Sequence, residues 1–372
     1  MSKKFNIFLS ALFCAFIGGV AAISLLLPDK DFLPLENRYP QKPPRLSAES
    51  LGSGKFMTEA EKYVSDHIVG RDFWVAAKAW SERLSGKKEN EGVYFGKQDT
   101  LINRVQDPDP AKLERDMGYV DALAGNVSVP VYFGLIPSAA EIWRDRLPDG
   151  APTADEKAVI DRLYFSTGAS PIDLYSALAA HSGEDIYYRT DHHWTSLGAY
   201  YGANAIFQAL GLEPIDLADY QKATVTGQFN GTSFSTSGVR WLPPDSIDTY
   251  VPNEGIKVTS YFKGAPEEGS LYVDSFLEVK DKYSYFLGGR QPLCVVEKEG
   301  SDGPKVLVVR DSYSDSLAPF LTERFSEVHL FDPRDNLSSI KGYVEEHGID
   351  MVLVLYSFAN FTTDSNLFVL AR

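Results

Sequence analysis

Residues 305–331 read KVLVVRDSYSDSLAPFLTERFSEVHLF, and this stretch decides the fold. Two apolar runs, Lys305–Arg310 and Glu327–Phe331, flank a segment expected to be helical over about 314–325. The first run is rich in β-branched residues, which is typical of a strand that is buried on both faces. A buried strand, a helix and a second buried strand in this order predict a βαβ unit and therefore a parallel sheet.

The same alternation continues on both sides of this unit. Strands are predicted at 127–136 and 351–356, and helices at 154–164, 170–179, 196–210 and 337–347. The helix at 196–210 has Thr195 or Ser196 as its N-cap and ends at Gly211. These elements predict an α/β domain over residues 92–372, with a three-layer parallel sheet. Residues 222–300 contain many Gly, Tyr and Thr residues and predict a β-rich insertion.

The segment at 29–91 differs in composition from the α/β domain. Five prolines lie between residues 28 and 50, which predicts an extended linker. Apolar residues then recur at helical spacing over 48–84, and residues 92–102 predict a β-hairpin with a polar turn.

The first 28 residues form a separate apolar segment. Lys3 and Lys4 precede the apolar run at 5–27, which is long enough to cross a hydrocarbon layer of about 30 Å. The lysines before the run predict a cytoplasmic N-terminus and an extracytoplasmic main domain. A cleaved signal peptide is the alternative, because small residues at 20–22 offer a cleavage site and would leave the domain secreted.

Composition excludes several classes of protein. The chain has 372 residues with Lys+Arg 36 and Asp+Glu 51, so its formal net charge is −15. An acidic chain of this kind argues against nucleic acid as a partner, because a phosphate backbone selects for Lys and Arg. Two cysteines, Cys14 and Cys294, exclude a disulfide-stapled scaffold and a cysteine-rich metal site. No cofactor is expected.

Ser312 is the first residue that could carry chemistry. It lies between a buried strand and a predicted helix, where the loops of α/β proteins open into ligand crevices. The unpaired N–H groups of the helix start suit a developing oxyanion. The alternative is that Ser312 is only a helix N-cap.

Residues 188–195 (YRTDHHWT) bring a carboxylate and two imidazoles together before a helix. Asp191 and His193 would face the same side of an extended segment, so that His193 can act as a base that Asp191 orients. His192 would point away, as a structural residue or towards the substrate. Asp191 as an N-cap, satisfied polar histidines and a metal site stay open as alternatives. A metal would need a further ligand from elsewhere, because three such close neighbours give poor geometry.

These motifs resemble the bacterial DHHW proteins. The resemblance rests on Asp191-His192-His193-Trp194 and on Asp311-Ser312-Tyr313. It extends to further short matches, which are Glu36-Asn37-Arg38, Ser53-Gly54-Lys55-Phe56, Asp66-His67, Arg71-Asp72, Gly92-Val93-Tyr94-Phe95-Gly96 and Gly231-Thr232. DHHW proteins are similar to the alginate O-acetylation proteins of the SGNH-hydrolase-like superfamily.

The resemblance implies an SGNH-hydrolase-like fold with a triad of Asp191, His193 and Ser312, in an order permuted relative to ordinary SGNH hydrolases. Arg310 stands where those enzymes have the glycine of Gly-Asp-Ser. Arg290, after Gly288-Gly289, stands where we expect the asparagine of the oxyanion hole. The residues expected to contact substrate are Trp194, Tyr313, Arg290 and His192.

Two functions from different classes follow. The first is an extracytoplasmic O-acetyltransferase, or acetylesterase, that acts on a cell-surface or exported polysaccharide through an acyl-enzyme on Ser312. The resemblance implies a membrane-bound O-acyltransferase partner that delivers the acyl group. The alternative is a non-catalytic, membrane-anchored protein that binds glycan in polysaccharide or envelope assembly.

Overall fold

A computed structural model describes residues 2–262 and 264–372 of the chain. Within these residues the strands are β1 Glu89–Asn90, β2 Val93–Phe95, β3 Leu101–Asn103, β4 Val131–Ile136, β5 Ser170–Pro171, β6 Ala223–Phe229, β7 Asp245–Thr249, β8 Ile256–Phe262, β9 Ala265–Gly269, β10 Leu293–Lys298, β11 Lys305–Arg310, β12 Glu327–Phe331 and β13 Met351–Ser357. The α-helices are α1 Lys3–Leu26, α2 Ala48–Gly52, α3 Lys55–His67, α4 Arg71–Leu84, α5 Pro110–Asn126, α6 Ala139–Ile142, α7 Glu156–Ser166, α8 Leu174–Ala179, α9 Ser196–Ala209, α10 Thr232–Ser237, α11 Tyr313–Leu321, α12 Ile340–His347 and α13 Phe358–Thr363.

An eight-stranded sheet in the order β5-β4-β13-β11-β12-β10-β8-β9 forms the centre of the larger unit. Its first five strands run parallel, as the βαβ pattern predicts. All residues of β11 after Lys305 are buried. Because successive side chains of a strand point to opposite faces, both faces of the sheet are covered. The prediction of an α/β fold around a central sheet is confirmed, and the parallel part of that sheet is its first five strands.

The region at 222–300 is β-rich, but it is not a separate insertion throughout. Strands β6 and β7 pair with each other in a two-stranded sheet. Strands β8, β9 and β10 instead extend the central sheet in antiparallel fashion. β8 and β9 lack the continuous apolar pattern of a parallel strand, because this antiparallel end of the sheet is more exposed to solvent.

The chain forms two compact units. One comprises residues up to Lys87 together with Gly238–Trp241, and the other comprises Lys88–Ser237 and Leu242–Arg372. In the first unit, helix α1 has a mean hydropathy of 2.3 over its most apolar 18 residues and is long enough to cross a membrane. In the same unit Arg38 pairs with Asp66 and Glu36, so the N-terminal motifs of the resemblance contact one another.

Helix α9 begins at Ser196 behind the predicted N-cap Thr195, whose hydroxyl accepts the N–H of Gly198. Two glycines of this helix leave a slot for the indole of Trp194. A Cβ on Gly202 would lie 2.7 Å from Trp194 Cζ3, and one on Gly198 would lie 2.9 Å from Trp194 Cβ. The helix therefore fixes Trp194, the last residue of the Asp-His-His-Trp motif.

Replacing Gly202 with alanine should lower the free energy of unfolding by about 1–3 kcal/mol, because the new methyl group overpacks the indole. Urea unfolding of the detergent-solubilised chain, followed by tryptophan fluorescence, measures the change. Gly118→Ala is the matched control, since nothing lies within 4 Å of that position in helix α5. The control should gain about 0.5–1 kcal/mol from helix propensity. If both variants changed the free energy of unfolding by the same amount, the close packing of Gly202 against the Trp194 indole would be contradicted.

Candidate active site

Ser312 follows β11 and precedes α11 at the carboxyl edge of the parallel strands. Every residue of 306–322 is buried except Ser312, which is half-buried. Its side chain does not cap the helix. Asp311 does so instead, because Asp311 Oδ1 accepts the Tyr313 N–H at 3.0 Å. The serine hydroxyl is therefore free for another partner, and the N-cap alternative does not hold.

That partner is His193. The distance from His193 Nε2 to Ser312 Oγ is 2.8 Å, and the distance from His193 Nδ1 to Asp191 Oδ1 is 2.6 Å. Ser312, His193 and Asp191 thus form one hydrogen-bonded row, although Ser312 and His193 are 119 residues apart in the sequence. This is the geometry in which an imidazole can take a proton from a hydroxyl while a carboxylate holds its tautomer.

The loop that carries Asp191 and His193 is a tight turn and not an extended strand. Tyr187 and Trp194 form an isolated antiparallel bridge at its base. Asp191 Oδ1 accepts the backbone N–H of His193 at 3.0 Å, so the carboxylate folds back over the turn. The His192 ring accordingly lies beside the His193 ring, with centroids 3.9 Å apart, and does not point to the opposite side as expected.

Asp191 is almost completely buried and uses both carboxylate oxygens. Its Oδ2 accepts the backbone N–H of Thr232 at 2.7 Å and the Thr232 hydroxyl at 2.9 Å. Burial alone would raise the pKa of Asp191, but His192, His193 and these hydrogen bonds outweigh burial and hold the pKa well below its usual range. The carboxylate therefore stays ionised beside His193.

Asp311 links three segments of the site. Its Oδ2 accepts the Ser357 N–H at 2.9 Å, the Ser357 hydroxyl at 2.7 Å and Asn360 Nδ2 at 2.8 Å. Ser357 ends β13, and Asn360 lies in α13. With the bond to Tyr313 described above, one buried carboxylate fixes the residue before Ser312 to the neighbouring parallel strand.

Tyr283 is a site residue that the sequence did not reveal. Its ring stacks on the His193 imidazole with centroids 3.8 Å apart and an interplanar angle of 8°. Its hydroxyl donates to Ser312 O at 3.1 Å. The residue lies in an irregular aromatic segment, and no spacing in the sequence relates it to His193.

The four expected substrate residues differ in their surroundings. Trp194 is completely buried, and its Nε1 donates to Tyr313 O at 2.9 Å. Tyr313 is also largely buried, and its hydroxyl donates to His192 O. His192 is 33% exposed, and burial together with His193 lowers its pKa to about 4, which leaves it neutral at pH 7. Arg290 pairs with Asp335, and no contact among the described residues joins it to Ser312 or His193.

Arg310, at the position of the usual glycine, is completely buried beneath the site. Its Nη1 donates to Asp315 Oδ1 at 2.6 Å, while its Nε and Nη2 have no hydrogen-bond acceptor among the described residues. Asp315 lies in helix α11, so this ion pair ties the helix to the strand on either side of Ser312. Burial raises the pKa of Asp315 to about 7 in spite of Arg310.

A cleft of about 740 Å³ opens beside the row. Asp191, His192 and Tyr313 form one side of it. The other sides are rich in hydroxyl and amide groups, contributed by Asn103, Gln106, Ser138, Thr232, Ser357 and Asn360. A cleft of this size and polarity holds a small polar ligand or one part of a polymer.

Asp191, His192 and His193 present possible metal-ligand atoms within 4.8 Å of one another. However, the Asp191 oxygens are occupied by His193 and Thr232, and His193 Nε2 faces the Ser312 hydroxyl. A metal ion would have to break these bonds to take the residues as ligands. The donor set suits proton transfer better than metal binding.

The sheet order, the Ser-His-Asp row and its position at the sheet edge define an SGNH-hydrolase-like fold in which the serine comes last in the chain. The chain belongs to the DHHW protein family, whose sequence profile matches residues 115–331. No curated protein matches the sequence.

The chain is similar to several solved structures. A DHHW family protein from Eubacterium siraeum is 25% identical, with a TM-score of 0.68, and the match covers 76% of this chain and 95% of that chain. PatB1 of Bacillus cereus is 21% identical, with a TM-score of 0.61 and coverage of 73% and 97%. The O-acetyltransferase domain of Pseudomonas putida AlgJ is 13% identical, with a TM-score of 0.42 and coverage of 73% and 93%.

Replacing Gly231 with alanine should reduce turnover of an activated ester about a hundredfold, because a displaced Asp191 no longer orients His193. A Cβ on Gly231 would overlap Asp191 Cβ and Oδ2. Release of p-nitrophenol from p-nitrophenyl acetate measures turnover. Gly227→Ala is the control, because its nearest neighbour would be Ser246 Oγ at 3.7 Å. Unchanged turnover in a folded Gly231→Ala variant would contradict the role of this contact.

Proposed function

We propose that this protein is an extracytoplasmic O-acetyltransferase that acts on a cell-surface or exported polysaccharide through an acyl-enzyme on Ser312. The observation that carries the proposal is the continuous hydrogen-bonded row from Ser312 through His193 to Asp191. The row lies at a cleft lined by polar side chains. Acyl transfer by serine needs this set of groups.

In the first half-reaction, Ser312 Oγ attacks the carbonyl carbon of the acyl donor while its proton passes to His193 Nε2. The negative charge that develops on the carbonyl oxygen is stabilised by the Ser312 N–H, which has no acceptor among the described residues. Collapse of this intermediate breaks the bond to the leaving group, which takes the proton from His193. The acetyl group is then an ester of Ser312.

In the second half-reaction, a sugar hydroxyl attacks the acetyl ester. Its proton passes to His193 Nε2, and the proton then returns to Ser312 Oγ as the ester bond breaks. Asp191 stays ionised and stabilises the imidazolium in both halves. Water in place of the sugar would make the same residues an acetylesterase.

The acyl donor and the location belong to the same proposal. Helix α1 would anchor the chain in the membrane and keep the α/β unit outside. No pool of acetyl-CoA exists there, so a membrane-bound O-acyltransferase partner would deliver the acetyl group. Near that donor, the hydroxyl and amide groups of the cleft would receive the polysaccharide.

Ser312→Ala should lower the turnover of p-nitrophenyl acetate by at least about a thousandfold, because the nucleophile is lost. A sulfonyl fluoride should modify the wild-type chain once, on Ser312, as read by peptide mass spectrometry. Ser166→Ala, an exposed serine of α7 that lines none of the cavities, is the matched control.

The same reactions with added bacterial oligosaccharides separate the functions. Acetyl groups gained by the sugars identify a transferase, and serine-dependent turnover without such gain identifies an esterase. If the wild type and Ser312→Ala are equally inert or equally active, the catalytic proposal fails and the glycan-binding alternative leads.

The anchor is tested by fractionation and intact mass. We expect the chain to stay in the membrane pellet after washes with high salt and alkaline carbonate, since burying α1 in hydrocarbon is favourable whatever the ionic strength. The intact mass should include residues 2–27. A shorter, soluble product that begins after about residue 22 would show a cleaved signal peptide instead.

A further inference from the structure

We propose that the acceptor polymer extends from the cleft lined by Asp191 and Tyr313, across Asn360 and Thr363, to a second sugar subsite formed by Arg290. This inference rests on the proposed function, because it assumes that a polysaccharide occupies the cleft. It assigns Arg290 to a unit of the polymer that is distant from the reacting hydroxyl.

The first observation is that the cavities adjoin one another. The cleft beside the Ser312 row and a recess of about 240 Å³ share Asn360 and Thr363 as lining residues. That recess and a third cavity of about 650 Å³ share Arg290. All three belong to the unit that holds the central sheet. A polar path therefore leads from the cleft beside Asp191 and Tyr313 to Arg290.

The sheet topology explains why Arg290 lies on this path. Strand β10 runs antiparallel to β12, and its first residue, Leu293, pairs with Phe331 at the end of β12. The segment just before β10 thus lies at the same edge as the carboxyl ends of the parallel strands. Ser312 and Asn360 follow two of those strands, β11 and β13, at that edge.

The guanidinium of Arg290 is held in place but keeps free donors. Its Nε donates to Asp335 Oδ2 at 2.5 Å, and Asp332 Oδ2 lies 3.8 Å from the same atom. The side chain is 51% exposed, and its two Nη groups have no acceptor among the described residues. A donor group that is fixed in advance loses little conformational entropy on binding. The Nη groups suit a hydroxyl or carboxylate oxygen of a sugar.

The groups around Arg290 suit a sugar chain. Asp335 balances the charge of Arg290, so the subsite does not require an anionic polymer. The third cavity, which Arg290 also lines, offers apolar surface for a sugar ring. This surface is formed by Tyr261, Pro292 and Leu293. Hydrogen-bond donors beside an apolar surface match the two sides of a pyranose unit.

The test is the dependence of acetyl transfer on acceptor length. Full-length protein in detergent is given p-nitrophenyl acetate and acceptors from a monosaccharide to a hexasaccharide, in one neutral β-1,4-linked series and one uronic acid series. The measured quantity is the ratio of kcat/KM for the longest and shortest acceptors. A general loss of activity cancels in this ratio.

We expect the wild type to favour the long acceptors. In Arg290→Ala the ratio of kcat/KM should fall about tenfold, which is the effect of losing one hydrogen bond to a charged group. Arg162→Ala, an exposed arginine of α7 outside the three cavities, should keep both its activity and the wild-type ratio. If Arg290→Ala and the wild type have the same ratio of kcat/KM, the proposal is overturned.

A second measurement separates this inference from the proposed function. If the wild type transfers acetyl to none of the acceptors, the transferase proposal fails, and calorimetric binding of the same oligosaccharides to Ser312→Ala decides the subsite. If the affinity for Ser312→Ala rises with oligosaccharide length, and this rise is lost in Ser312→Ala/Arg290→Ala, the result supports the subsite without catalysis. Affinity that does not depend on length or on Arg290 overturns it.

Discussion

The buried carboxylate of Asp311 is the contact on which the geometry of the site depends. It caps helix α11 in place of Ser312, and it ties the end of β11 to Ser357 and Asn360 after β13. A serine that capped its own helix would use its hydroxyl on a backbone N–H and would be a poorer partner for His193. Because Asp311 meets that need, the Ser312 hydroxyl bonds to His193, and the Ser312 N–H has no acceptor among the described residues.

Much of the fold could be predicted because its central strands have uniform patterns. β11 and β12 lie where their apolar runs indicated, since parallel strands buried on both faces leave a continuous signal. The pattern is weaker for β8 and β9, which are partly exposed, so the 222–300 region looked like an insertion. The burial of Trp194 could not be predicted for a different reason. An aromatic residue beside a reactive motif can face a ligand or the core. Trp194 faces the core because Gly198 and Gly202 of α9 leave space for its side chain.

Three buried carboxylates surround Ser312, and each is satisfied in a different way. Asp191 uses His193 and Thr232, Asp311 uses backbone and hydroxyl donors, and Asp315 uses Arg310. Removing one partner of a buried ion leaves an uncompensated charge, which costs about 3–5 kcal/mol. The site therefore tolerates few changes in the residues that hold these groups.

β13, the last strand of the described residues, is an inner strand of the central sheet. β13 lies between β4 and β11, and β4 has only the two-residue β5 on its other side. A polypeptide that emerges from its N-terminus must therefore keep the inner edge of β4 open until more than 200 residues later. Long-range pairing of this kind is slow, and the waiting edge is prone to aggregation. Synthesis order thus makes assembly of the central sheet wait for β13, and a chain that is cut short before β13 lacks this strand and the Ser357 and Asn360 partners of Asp311.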